Sequence, residues 1–243
     1  MRPEHEASLP VLLGIPGIAL IMAAIIVLLI ARAAPRRAAF AALIVAALLG
    51  GEFALARSGF LARTDFLPPP FLLMMVPLTM LVVRTALSPL GARLAEVTPL
   101  ALLVGLEGFR LPLELLMHRA AAEQIMPPQM TWTGLNFDVV TGASALVLGV
   151  LAAQGRAPRG LVLAWSVMGL ALLLAVVAIA VTSMPAFALF GPERTNGWIT
   201  HVPFVWLPGV LVETALFLHI VILRKLAQER RAEKVGTALR GAV

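Results

Sequence analysis

Between positions 9 and 31 the chain carries no charged side chain, a run about as long as the roughly 20 apolar residues that cross a bilayer as one helix. Such a run has few outlets. In water it would be an apolar patch larger than a monomer tolerates. In lipid its backbone N–H and C=O groups must be satisfied within the segment, which dictates a helix. Six further apolar runs follow, over 38–56, 66–87, 97–117, 139–153, 160–184 and 202–223. The pattern predicts an all-α fold: a polytopic integral membrane helical bundle of about seven transmembrane helices. One membrane domain is expected over 1–223, with a basic cytoplasmic tail over 224–243. The fifth run is short, so its helix is expected to tilt or to extend at either end.

Composition narrows the class further. Hydrophobic residues make up 60% of the 243 positions and charged residues 13%, where a soluble domain carries roughly a quarter charged. Mean hydropathy is +0.95. A soluble globular enzyme, a disordered chain and a coiled coil are thereby excluded, and no length is left for a second folded domain. The absence of cysteine removes disulfides, thiolate metal sites, a Cys nucleophile and covalently attached c-type haem. Ala31-Arg32-Ala33 has the small-residue spacing of a signal-peptidase site. The run before it, however, exceeds the roughly 7–15 residues of a signal core, and Glu4 and Glu6 precede it, so a retained span is expected.

The net charge of +6 reads as an orientation signal rather than as a nucleic-acid surface. With the N-terminus outside, the inner side collects Arg32, Arg36, Arg37, Arg93, Arg156, Arg159, Arg224, Lys225, Arg230, Arg231, Lys234 and Arg240. These twelve basic residues stand against Arg2, Arg57, Arg63, Arg119 and Arg194, five, outside. An odd number of spans with the C-terminus inside satisfies the positive-inside rule. The tail can also touch anionic lipid headgroups.

Chemistry concentrates on the fourth run. Taking Glu107 as zero and about 100° per residue, Arg110 falls near −60°, Glu114 near −20° and His118 near +20°. Glu96 joins the same stripe but sits at the inner interface, where solvent serves it. Charges at mid-bilayer cost about 2.5 kcal/mol or more each, so this stripe must face protein or water. Two readings follow: an internal ion-pair ladder that fixes packing, or a binding site or proton path. Pro112 cannot donate to the carbonyl of Gly108 and should kink the helix inside the stripe. With Gly105 and Gly108 beside it, the expectation is a polar recess in the outer half of the membrane. Glu52, Asn136, Asp138, His201 and Glu213 are its further candidate walls.

Several of these residues also have plainer roles. Asn136 or Asp138 can cap the fifth helix, and His201 can be interfacial. Trp132, Trp198 and Trp206 suit an outer aromatic belt, and Arg84 can snorkel to inner headgroups. His219 is expected at the inner interface. Glu213, at mid-span, requires a partner, and Arg110 is the expected one.

Retinal needs an intramembrane lysine, and the only lysines are Lys225 and Lys234, so a rhodopsin is excluded. Glu114 and His118, with Asp138 or His201, form a weak zinc or iron ligand set. Haem b held by His118 and His201, with Arg110 near a propionate, is a weaker alternative. No phosphate loop, nucleophile elbow or ATPase motif occurs.

Three strings stand out together: Phe109-Arg110-Leu111-Pro112-Leu113-Glu114-Leu115-Leu116-Met117-His118, Met130-Thr131-Trp132-Thr133-Gly134-Leu135-Asn136-Phe137-Asp138, and Pro203-Phe204-Val205-Trp206-Leu207-Pro208. They resemble a group of small bacterial polytopic membrane proteins with no established activity. The resemblance covers roughly residues 105–225. It implies a bacterial inner-membrane location and no particular reaction.

Three functions fit these residues. The first is binding, with or without translocation, of a small polar or anionic ligand gripped by Arg110, with Glu114 and His118 exchanging protons. The second is a non-catalytic subunit of a larger membrane complex. The third is a membrane enzyme using a metal on Glu114 and His118, or Glu114 as general base.

Overall fold

The computed structural model describes residues 7–241, and among them every regular element is helical. Arg2, Glu4 and Glu6, which bear on the outward N-terminus and the retained first span, lie outside the described residues. The first helix, α1 (Leu9–Ala33), begins with Pro10 in its first turn and ends two residues before Pro35. Proline suits the start of a helix, and it keeps the residue before it out of the helical region. Helix α2 (Ala38–Arg57) stops at Gly59, whose φ of +74° supplies the left-handed turn that follows many helix ends. Helix α3 (Pro70–Leu87) starts later than the apolar run suggests, because Pro68, Pro69 and Pro70 offer no backbone donors.

Ser88 then opens a short helix, α4 (Pro89–Val97), by accepting from the N–H groups of Leu90 (3.1 Å) and Gly91 (3.5 Å). The apolar pattern places a connection here. Helices α7 (Val139–Ala153) and α8 (Arg159–Thr182) follow their apolar runs closely.

Two segments depart from a regular α-helix. The fourth apolar run is divided into α5 (Leu100–Leu106), a tighter 3-10 turn over Glu107–Phe109, and α6 (Arg110–Ala122). The break lies where Pro112 withholds the donor that would bond Gly108. The last apolar run starts as a π-helix over Leu207–Val212, containing Pro208 and Gly209, and passes into α9 (Glu213–Gly241). Interruptions of this kind inside helices are frequent at functional sites.

Five helical segments are long and apolar enough to cross a membrane, comprising α1, α2, α3, α8 and the π–α9 segment. Helix α7 is apolar but shorter. The last segment is the centre of the bundle: Ala215, Leu218, His219, Val221 and Ile222 are all buried. Helix α2 is the periphery, with only Glu52 and Ala56 buried along its length.

Polar contacts define two ends. At the basic end, Arg224 donates to the carbonyls of Ala86 (2.6 Å) and Ser88 (2.9 Å), and Lys225 donates to that of Ala95 (2.9 Å). These contacts pin α9 to the α3–α4 corner, and Arg159 pairs there with Glu229 (3.5 Å) and Glu233. At the opposite end, Gln129 donates to Ser183 (3.0 Å) and to the carbonyl of Arg194 (2.8 Å). The Ser8 N–H donates to Glu123 (2.9 Å), tying the start of α1 to the end of α6.

Candidate functional site

The site begins with a glycine. A Cβ at Gly142 would lie 2.4 Å from the backbone nitrogen of Leu111 and 2.9 Å from the carbonyl carbon of Arg110. Lacking that atom, α7 reaches the first turn of α6 in backbone contact, the small-residue packing typical of membrane helices. Asp138, one turn earlier, thereby comes within reach of Arg110. A similar device works on α8: a Cβ at Gly169 would fall 2.5 Å from the His219 ring, so the glycine makes room for a histidine on the central helix.

These approaches assemble a buried polar chain across four parts of the bundle. Ser166 Oγ on α8 lies 3.0 Å from His219 Nδ1 on α9. The other ring nitrogen, Nε2, is 3.7 Å from Glu107 Oε1. Glu107 Oε2 is 3.2 Å from Arg110 Nε, and Arg110 Nη1 donates to Asp138 Oδ1 at 2.9 Å. The Asp138 N–H donates to Asn136 Oδ1 (3.0 Å), and Asn136 Nδ2 donates to Glu114 Oε1 (2.8 Å) and to the carbonyl of Met130 (3.0 Å). Glu107 and His219 are 0% exposed and Arg110 1%. Charges so deep persist only where they are paired. The 3-10 turn lets Glu107 meet both α9 and Arg110.

Beside this chain lies a cavity of about 630 Å³ between α3, α6, α8 and the π–α9 segment. That size lies within the usual range for small-molecule sites, roughly 300–1,000 Å³. Its lining runs from Arg84 near the basic end to Asn196 and Ile199 near the other. Its walls are mainly apolar, and Met75, Met80, Met117, Met130 and Met184 supply five of the chain's ten methionines. Arg110, Glu114, Asp138 and Asn196 are among its lining residues, as are Thr79 and Glu213. Several polar atoms of these residues are buried without a hydrogen-bond partner: Arg110 Nη2, Glu114 Oε2, Asn196 Oδ1 and Glu213 Oε2. A second cavity of about 440 Å³ lies between α1, α2, α3 and α9, and Glu52 and Glu213 both line it.

The expected site residues therefore separate. Glu107, Arg110, Glu114, Asn136 and Asp138 come together. Glu213 does not reach Arg110 in an ion pair; its Oε1 accepts from Thr79 Oγ1 at 2.5 Å, because the π-helix sets its position against α3. Glu52 faces Gly209 of that π-helix, where a Cβ would lie 2.4 Å from Oε2. His118 leaves the stripe and stacks on Trp132 at 4.3 Å between ring centres. His201 lines a separate cavity among the loops and contacts Thr200 Oγ1 and the Gly197 carbonyl, each at 3.1 Å.

Four plainer expectations also change. Asp138 makes no side-chain cap on α7, since its carboxyl is drawn to Arg110. Trp198 is buried against Phe204 rather than set in a belt (2% exposed, ring centres 4.9 Å apart). His219 is not interfacial but fully buried. The polar recess is lined chiefly by apolar side chains, because Glu107 and Asn136 turn toward other protein groups instead of into the cavity. The helical wheel underlying the His219 expectation assumes one buried face, whereas α9 is surrounded. Ser166 and Gly169, three residues apart on α8, were the available signal.

Among the described residues no three His, Asp or Glu side chains gather in a geometry able to hold a metal ion. Glu114, His118, Asp138 and His201 therefore do not converge as a ligand set. The chain matches no protein-family model, no curated protein and no solved structure.

Proposed function

We propose that this chain is a seven-pass protein of the bacterial inner membrane that binds, and by alternating access translocates, a small organic ligand. The five long apolar segments support the span count, with α7 and the broken α5–α6 segment as the remaining crossings. Clustered basic residues at one end support an inward C-terminus. The location rests on the resemblance of the three strings to small bacterial polytopic membrane proteins.

One observation carries the function: a partly open, largely apolar cavity of about 630 Å³ whose lining residues carry buried polar atoms with no protein partner. Buried polar groups are nearly always satisfied, so partnerless ones on the residues that line a cavity point to where a ligand's polar group belongs. Arg110 already faces two carboxylates, Glu107 and Asp138. Of the polar and anionic classes, the polar ligand is therefore the better fit.

Native mass spectrometry of protein extracted from its own membrane tests the reading. A small-molecule adduct is expected on the native chain and not on Leu173→Trp, which fills the cavity from a buried wall position. An adduct that survives this substitution, or no adduct on either chain, would sink it.

A further inference from the structure

The interior is acidic in a protein that is basic overall. Among the described residues five carboxyl side chains are buried, Glu52, Glu107, Glu114, Asp138 and Glu213, against one buried guanidinium, Arg110. The whole chain carries a net charge of +6. Glu107 and Asp138 take Arg110, and His219 adjoins Glu107. Glu52, Glu114 and Glu213 form no ion pair among the described residues. Each leaves carboxyl oxygen unpartnered: Oε2 of Glu114, Oε2 of Glu213 and both oxygens of Glu52.

Glu114 faces Asn136, with Asp138 and Arg110 nearby. Glu213 faces Thr79 on α3 and shares the second cavity with Glu52 on α2. Arg84, exposed at the end of α3, borders both cavities, and Arg37, exposed just before α2, borders the second; neither pairs with a carboxyl group among the described residues. Glu114 and Glu213 together line the first cavity.

We propose that the ligand of this cavity is an amphipathic organic cation, bound in exchange for protons carried by Glu114 and Glu213. This inference rests on the ligand-binding reading above and names its chemical class. A carboxylate in a low-dielectric wall needs a counter-charge, and only a proton or a cation can supply it here. The two compete for the same oxygen: as the cation enters, the carboxyl O–H breaks and the proton leaves to water. An anion would add like charge beside these carboxyl groups, since the buried guanidinium of Arg110 already pairs with Glu107 and Asp138, and Arg84 is exposed at the cavity's border. The apolar walls accept the ligand's body, and methionine side chains adapt to varied shapes. Phe71 and Phe109 in the lining add aromatic surface of the kind that attracts cations.

Two probes of equal shape and opposite charge test the assignment on the purified full-length protein in detergent: tetraphenylphosphonium and tetraphenylborate, measured by equilibrium dialysis with a pH dye. The phosphonium should bind saturably, at least tenfold tighter than the borate, and release protons as it binds. For each proton displaced, its Kd should fall about tenfold per pH unit while that proton is held. Glu114→Gln should weaken binding at least tenfold and reduce proton release. Glu213→Gln, whose carboxyl has only Thr79 to lose, gives the same readout if the first variant fails to fold. Leu173→Trp should block uptake.

Borate binding as tightly as phosphonium, or phosphonium uptake without proton release, would overturn the charge class while leaving the cavity reading intact. Phosphonium binding that Leu173→Trp does not change would overturn its placement in this cavity. Failure of both probes to bind would overturn the proposal and, if no adduct is found on the native chain either, the ligand-binding reading with it.

Discussion

Two groups of buried glutamates, on neighbouring helices, meet opposite fates. Glu107 sits in the polar chain 3.2 Å from Arg110 and 3.7 Å from His219. Glu213, the first residue of α9, has one bond from Thr79, a buried oxygen without a partner, and a place in the lining of both cavities. Both are expensive to bury. The first is compensated inside the protein and so fixes how α6, α7, α8 and α9 meet. The second has no counter-charge paired with it among the described residues, and on the proposed reading a proton or the ligand completes it. Residue type alone therefore does not separate a structural from a functional acid in a membrane interior. The separation lies in whether a cation on another element has been brought to it.

The comparison breaks most visibly at Arg110. Replacing it with Met leaves Glu107 and Asp138 as buried acids with no counter-charge, a loss of roughly 3–5 kcal/mol. The expected outcome of Arg110→Met is a chain that inserts but does not give a monodisperse, cooperatively unfolding species in detergent. If its unfolding curve overlays that of the native chain, the polar chain does not hold the bundle together.

The next effect is steric. Gly142→Ala places a Cβ 2.4 Å from the Leu111 nitrogen, and backbone cannot yield as a flexible side chain does. Overpacking of this kind costs about 1–3 kcal/mol and should move Asp138 away from Arg110. Gly51 is the control, because a Cβ there meets nothing within 4 Å. Gly51→Ala should be neutral or should stabilise by up to about 1 kcal/mol from helix propensity. Unfolding of the two variants in the same mixed micelles checks both; an equal response would mean that close α6–α7 contact is not what sets the Arg110–Asp138 geometry.

Much of this architecture was legible in the chain. Long uncharged runs force helices in lipid whatever their neighbours do, which is why the bounds of α1, α2 and α7 nearly follow the apolar runs. The stripe of Glu107, Arg110 and Glu114 was legible because three charges on one helical face must turn inward together. Helix interruptions were only half legible. Pro112 signalled the break before α6, but the π-helix at Leu207–Val212 depends on how α1 and α2 receive Gly209, and spacing does not encode that. Glu213 consequently met Thr79 rather than Arg110. His219 was missed for a related reason, since amphipathic logic fails on a helix buried on all sides. The apolar character of the cavity was likewise hidden, because a wheel shows which residues turn inward and not whether they then face each other or a void.

The smallest expected effect discriminates best. Glu107→Gln and Glu213→Gln remove the same charge from the same kind of side chain, so the comparison between them isolates the partner. At 107 the amide forfeits a charge-assisted contact with Arg110 and leaves that guanidinium with one carboxylate; such contacts contribute about 1.5–3 kcal/mol. At 213 the amide oxygen still accepts from Thr79 and no cation is stranded, so stability should stay within about 0.5 kcal/mol of the native chain. Chemical unfolding of the two variants in mixed micelles, free of added ligand, measures the difference directly. Equal losses at both positions would mean that Glu213 holds the bundle together as strongly as Glu107 does. A larger loss at 213 would invert the assignment, making the cavity wall the structural element and the polar chain the site that awaits a ligand.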